Sequence, residues 1–119
     1  MSDVIPANKQ FRAKVAAAVA AGTAPPSIAQ AAWGINGDPA SDEDTALGSE
    51  VHRQPVDAAT AQDTVLTVLA TLHGADVEGH AVREMAIIDS DGDLAGRRAF
   101  RPLELEPGTE IETTLTLQF

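Results

Sequence analysis

Strict alternation of apolar and polar residues near the end of the sequence is the feature that most constrains the fold. Side chains of a β-strand point to its two faces in turn, so such a segment predicts an antiparallel strand with one buried face and one solvated face. EPGTE, residues 106–110, supplies the turn before it. The alternation occupies EIETTLTLQF, residues 110–119, where Ile111, Thr113, Leu115, Leu117 and Phe119 face one way and Glu110, Glu112, Thr114, Thr116 and Gln118 the other.

A helix is predicted only near the start of the chain, in ANKQFRAKVAAAVAA at residues 7–21. Alanine dominates this segment, and Phe11, Val15 and Val19 recur every four residues along one face. This face is either ordinary core packing or a surface that docks a neighbouring protein. The apolar run inside the helix is too short to span a membrane.

The ends of this helix carry recognisable signals. Asn8 stands where a capping residue is expected, and Gly22 stands where a helix would stop. The two prolines of GTAPPS, residues 22–27, then predict an extended connector, because neither proline fits inside a helix.

Short apolar segments at intervals of roughly ten residues predict the remaining strands. Pro55 favours an edge position for its strand, whereas Val, Leu and Thr in residues 63–74 favour a central one. NGDPASDEDTALGSE, residues 36–50, is an acidic loop that we expect to be the most flexible segment. The predicted strands are IAQAAWG at 28–34, VHRQPV at 51–56, DTVLTVLATLHG at 63–74, VREMAIID at 82–89 and DLAGRRAF at 93–100.

One helix followed by these strands predicts a mainly β protein. We expect an antiparallel β-sandwich, or a small barrel, over residues 28–119, with the N-terminal α-helix packed on it. The length fits a single domain over residues 1–119.

The charge of the chain is its most unusual compositional property. Asp and Glu total 18 against 8 Lys and Arg, which gives a net charge of -10. This field repels phosphate and argues against nucleic-acid binding. Three interpretations remain open: an ordinary acidic surface, adaptation to high salt in a halophilic setting, or a cation-binding protein. The absence of cysteine excludes disulfides and thiolate metal sites.

The stretch IIDSDGDLAG contains three aspartates around a glycine. Asp89, Asp91 and Asp93 suggest a calcium loop, but the glycine and the twelfth position do not match an EF-hand. The alternative is a hairpin turn whose backbone Asp89 and Gly92 fix, because Asp-Gly between apolar strands is a strong hairpin signal. We favour the turn. Glu84 and Arg97 then lie on its two strands and are predicted to form a cross-strand ion pair.

A second group of metal-ligand side chains lies in HGADVEGH. His73, Asp76, Glu78 and His80 have the chemistry for zinc or nickel, although a solvated loop between strands is the simpler interpretation. No nucleophile elbow, dinucleotide fingerprint or P-loop occurs in the sequence. We therefore predict no catalytic residue, no cofactor and no enzymatic activity.

The order of several motifs resembles the tail-fibre and tail-collar type domains of tailed viruses. The resemblance extends from Trp33 to Phe119, through TALGSEVHRQPV at 45–56, REMAIIDSDGDLAGRRAF at 83–100 and a final alternating strand that closes on an aromatic residue. The positions that carry it are Leu47, Glu50, Val51, Arg53, Pro55, Glu84, Asp89, Gly92, Leu94, Arg97, Phe100, Pro102 and Phe119.

This resemblance implies a non-enzymatic structural protein of the virion tail. Its partners would be other virion proteins, and the expected state is a homo-oligomer, a trimer or a hexamer, assembled in the host cytoplasm. Such domains often carry a long fibre after them, whereas this sequence stops at Phe119, so we expect an adaptor or baseplate component rather than a receptor-binding one. Alternatives are a head decoration or turret protein, and a module that binds a host surface through carbohydrate or metal. The acidic composition would suit a virus of a halophilic host.

Overall fold

The computed structural model describes residues 4–119 of the chain. It contains eight strands and one α-helix in that range, with a short 3-10 helix at Gly74–Val77. The elements are β1 Val4–Pro6, α1 Lys9–Ala21, β2 Ile28–Gly34, β3 Glu50–Pro55, β4 Ala58–Gln62, β5 Val65–His73, β6 Val82–Asp89, β7 Leu94–Leu103 and β8 Glu110–Gln118.

Two four-stranded sheets face each other. The order of the first is β1-β8-β5-β4, and that of the second is β3-β2-β6-β7. All strand pairs are antiparallel except β1 with β8, which is parallel. The mainly β sandwich prediction is confirmed, and the sheets do not close into the alternative barrel.

The main core lies between the two sheets. Alternation along β5 and β8 directs Val68, Ala70, Leu72, Leu115 and Leu117 into it, as the pattern of the last strand predicts. The second sheet contributes Trp33, Met85 and Ile87 from the opposite side. Thr116 departs from the predicted pattern, because it is buried although it lies on the face opposite Leu115 and Leu117.

The helix packs beside β7 rather than across a sheet face. It begins at Lys9, two residues later than predicted, because the backbone of Asn8 is extended and the N–H groups of Ala7 and Asn8 bond to β-strand carbonyls. Asn8 does not cap the helix with its side chain, which instead donates to the backbone oxygen of Asp44. Gly22 ends the helix in the left-handed conformation, as predicted.

Two strands escaped prediction, and one is longer than expected. β1 precedes the helix and belongs to the first sheet, so the sandwich is not confined to residues 28–119. β4 forms an edge of the same sheet, and β5 occupies the central position predicted for residues 63–74. β7 continues through Pro102, which an edge strand tolerates because one side of its backbone needs no strand partner. Among residues 4–119, no helix has the length and apolar character needed to cross a membrane.

Candidate functional site

A buried carboxylate organises the outer side of the second sheet. Glu84 on β6 has no solvent exposure. Its Oε2 accepts hydrogen bonds of 3.0 Å from the backbone N–H groups of Asn36 and Ser49, and its Oε1 accepts one of 2.9 Å from Gly48. Glu84 therefore binds both ends of the acidic loop, residues 36–50.

Arg97 on β7 completes this cluster. Its Nε donates to Glu84 Oε1 at 2.9 Å, so the two residues predicted to pair across the hairpin do meet. Its Nη2 donates to the backbone oxygens of Asn36 and Asp38 at 3.1 Å each, and Nη1 lies 3.3 Å from Asp44 Oδ2. The Arg97 side chain is only 4% exposed, so it lies beneath the loop. Its bonds hold the middle of the loop in place.

The electrostatics of the cluster keep Glu84 ionised. Burial raises the pKa of the Glu84 carboxyl, but the backbone N–H groups of Gly48 and Asn36 and the guanidinium of Arg97 lower it by more. The net result is a pKa below the ordinary value of a glutamate. The ionised carboxylate accepts hydrogen bonds from fixed donors of the acidic loop and of β7.

Small residues and a local apolar layer let the acidic loop approach the sheet closely. A side chain at Gly34 would collide with the Glu84 carboxylate and with the backbone oxygen of Ser49. Above the sheet, Leu47 packs on a separate apolar cluster formed by Ala32, Ala86, Ile88 and Leu94. Although the sequence suggested a flexible segment, the loop is tied down by both buried ions and apolar contacts.

A second cluster joins the helix to the turn between β6 and β7. Lys14 Nζ lies 2.8 Å from Asp89 Oδ2, 3.1 Å from Asp91 Oδ2 and 2.7 Å from Asp93 Oδ2. Hydrogen bonds to Asp89 and Asp93 raise the pKa of the Lys14 ammonium well above its usual range. The three aspartates that suggested calcium thus surround a lysine of the same chain.

The backbone of that turn depends on the buried Asp89 and on Gly92. Asp89 Oδ1 accepts from the N–H groups of Asp91 at 2.9 Å and Asp93 at 3.0 Å, while the Gly92 N–H donates to Asp89 O at 2.9 Å. Gly92 has a φ of 89°, a conformation that favours glycine. Asp89 therefore stabilises the turn with one carboxylate oxygen and binds the helix with the other.

The other proposed metal ligands do not converge. His73 Nδ1 lies 3.2 Å from Glu110 Oε2, and His52 Nε2 lies 3.6 Å from Asp76 Oδ2. No group of three or more His, Asp or Glu side chains within residues 4–119 is arranged to hold a metal ion. Glu78 and His80 are exposed near the 3-10 helix at Gly74–Val77.

The three residues of the predicted docking face have different environments. Phe11 is buried and makes an edge-to-face contact with Phe119, with ring centroids 5.7 Å apart. Val15 is partly buried against the main core. Val19 is 75% exposed, because a spacing of four residues drifts around the helix surface. Only Val19 of these three is open to a partner.

Sequence reasoning missed the residues that link these clusters across the chain. Lys14 and Asp44 were not singled out, although Lys14 is one of only two lysines and stands alone among alanines. Asn36 and Ser49 act through backbone N–H groups, which carry no side-chain signal. In the described residues, the buried charged side chains Glu84, Asp89 and Arg97 all have fixed partners.

Comparison with protein families gives a match over most of the chain. A family model described as "Phage tail-collar fibre protein, N-terminal" matches residues 5–98. This range contains the helix, the acidic loop and both charged clusters. No curated protein and no solved structure matches the chain.

Proposed function

The chain belongs to the phage tail-collar fibre protein family, and from this premise we propose that it is a non-enzymatic adaptor at the fibre or baseplate region of the tail. Membership makes it a structural component of a phage tail. The adaptor role, a homo-oligomeric state and action through protein contacts alone are the proposal. Assembly with its partners would take place in the host cytoplasm.

The observation that carries the proposal is that the buried charged side chain of each cluster is paired within the chain. Glu84 and Arg97 satisfy each other and the backbone of the acidic loop, and Lys14 satisfies Asp89. A catalytic carboxylate needs access to substrate and a pKa matched to proton transfer, whereas the pKa of Glu84 lies below its ordinary value. These clusters instead fix the helix and the acidic loop on the second sheet, which is what a rigid connector requires.

The outer side of the helix is the part of this frame best suited to contact another virion protein. Ala16, Ala17, Val19, Ala20 and Ala21 are all exposed, and residues 15–22 include no charged side chain. Such a surface costs little to desolvate and presents no carboxylate to repel a partner. We retain Val19 as the centre of the docking face.

Antibody labelling of purified particles tests the tail assignment against a head decoration or turret protein. Antibodies raised against the isolated chain and detected by electron microscopy should label the fibre-bearing end of the tail. Label distributed over the head would overturn the assignment. A Val19→Glu variant should be incorporated into particles less than wild type, whereas Thr23→Glu, an exposed control, should be incorporated normally.

A further inference from the structure

An open groove lies between the two sheets, along the C-terminal half of β7 and the N-terminal half of β8. Its volume is about 460 Å³, within the range of binding pockets. Met85, Phe100 and Leu103 supply apolar surface. Thr113 and Thr114 line the β8 side, and the groove is completed by Trp33, Arg98 and Glu112. The groove belongs to neither charged cluster.

The indole of Trp33 carries an unsatisfied donor. The residue is fully buried, yet no acceptor in the described part of the chain bonds to its Nε1. The indole stacks on His52, with ring centroids 5.9 Å apart, so the ring itself is held in place. Buried indole N–H groups usually find an acceptor, and Nε1 has none within residues 4–119.

The strand beside this groove has a free edge. β8 pairs with β5 along its whole length, from Glu110 to Gln118. On its other side β1 pairs only with Thr116, Leu117 and Gln118. No strand within residues 4–119 pairs with that side over residues 110–115, although alternate residues there direct their N–H and C=O groups outward.

The opposite edge of the same sheet is also unpaired, and it lacks the charges that Glu110 and Glu112 give to the β8 edge. β4, with the sequence AATAQ, pairs only with β5, and all five of its residues are exposed. Charged side chains and proline normally guard such an edge, and β4 has neither. The edge strands of the other sheet do have them, with Arg53 and Pro55 on β3 and Arg101 and Pro102 on β7.

We propose that β4 of one copy adds as a strand to the free edge of β8 in a second copy, at residues 110–115. This inference rests on the proposed homo-oligomeric state of the chain and names the two surfaces through which the copies would contact each other. The added strand would lie along the groove that Trp33 lines. The two edges lie on opposite sides of one sheet, so the contact is heterologous, and the proposal includes a rotation between copies that closes a ring rather than an open filament.

Disulfide trapping tests the contact directly, since the native chain has no cysteine. Thr60→Cys is combined in turn with Glu110→Cys, Glu112→Cys and Thr114→Cys, which lie on the same face of the sheet as Thr60, so that three registers of the added strand are sampled. Within one copy β5 lies between these positions and Thr60, which puts them more than about 9.5 Å apart, too far for a bridge inside the chain. Oxidation should link copies into a ladder for at least one double variant.

The single variants are the controls for this experiment. Thr60→Cys alone should stay unlinked, as should each β8 cysteine alone. Dimers from Thr60→Cys alone would mean that β4 meets β4 and would overturn the proposal. Absence of cross-links from every double variant, in a sample that is oligomeric by sedimentation, would overturn it while leaving assembly of the chain intact.

A charge placed on β4 gives an independent test. Ala61→Lys should abolish the oligomer without lowering the melting temperature of the monomer, whereas Ala24→Lys, an exposed control on the connector, should leave the oligomer unchanged. Trp33 is the only tryptophan, so its fluorescence reports the groove alone. Its emission should differ between oligomer and monomer, and Ala61→Lys should show the monomer spectrum at every concentration. An oligomer that survives Ala61→Lys with unchanged Trp33 emission would contradict the proposed contact.

Discussion

Arg97 Nε lies 2.9 Å from Glu84 Oε1, and both side chains are almost completely removed from water. This ion pair lies beneath the acidic loop and bonds to its backbone at several points. A pair in this environment stabilises the protein only while both charges are present, since either one alone is costly to bury.

Glu84→Gln is therefore expected to lower the free energy of unfolding by about 3–5 kcal/mol, because Arg97 loses its closest counter-charge in a buried site. Urea denaturation followed by circular dichroism measures this change. Glu78→Gln, at an exposed position, should change stability by less than about 0.5 kcal/mol. Equal effects of the two substitutions would show that the buried pair does not anchor the loop.

The pH dependence of the free energy of unfolding should show the titration of the Glu84 carboxylate. The pKa of Glu84 is lower in the folded protein than its ordinary value of 4.5, so the unfolded chain takes up a proton first as the pH falls. The stabilisation that ionised Glu84 contributes is complete above pH 4.5, and it is lost as the pH falls through the lower pKa of the folded protein. The difference in stability between wild type and Glu84→Gln should narrow from pH 6 to pH 2. A constant difference would contradict this assignment.

Lys14→Met should leave three carboxylates facing one another at the end of the helix, one of them buried. We expect a lower melting temperature, because Asp89 loses its cation. Calcium should then raise the melting temperature of the variant by several degrees, since closely spaced carboxylates bind hard cations. Wild type and the exposed control Lys9→Met should respond weakly. An equal response of wild type to calcium would mean that the lysine does not neutralise the cluster.

Gly92→Ala should destabilise the protein by about 1–2 kcal/mol through the backbone alone. Gly92 has a φ of 89°, and a Cβ there would meet no atom within 4 Å. Gly108→Ala is the matched control, since its Cβ would also meet open space and its φ is not positive. If both substitutions have the same effect, the turn does not depend on the conformation of Gly92.

Salt should stabilise the folded chain if the acidic composition is an adaptation to a halophilic environment. The net charge is -10, and molar salt screens repulsion between exposed carboxylates. The melting temperature should rise steadily from low to molar sodium chloride. A flat profile would leave the ordinary acidic surface as the explanation.

Most of the fold was predictable because strands with a regular pattern dominate it. β8 alternates strictly, β2 and β6 were predicted with the bounds that the structure shows, and β5 was expected at the centre of a sheet. β4 was not predicted, because AATAQ has no apolar residue larger than alanine and therefore no visible periodicity. β1 is three residues long and ends in proline, so a local pattern could not reveal it.

The charged clusters were predictable only where their members are close in sequence. Glu84 and Arg97 lie on one hairpin, so strand pairing brings them together. Lys14 is separated from Asp89 by 75 positions, and no local rule connects an alanine-rich helix to that turn. The sequence could not show which cation the three aspartates surround, because that cation belongs to the helix and lies far away along the chain.

Sedimentation equilibrium of the purified chain in molar salt tests the central claim most directly, because an adaptor that forms a ring must assemble from identical copies. The account predicts one oligomeric species, with three or six times the 12.4 kDa mass of the chain, that dissociates on dilution without unfolding. A monomer at every concentration and salt level would contradict it.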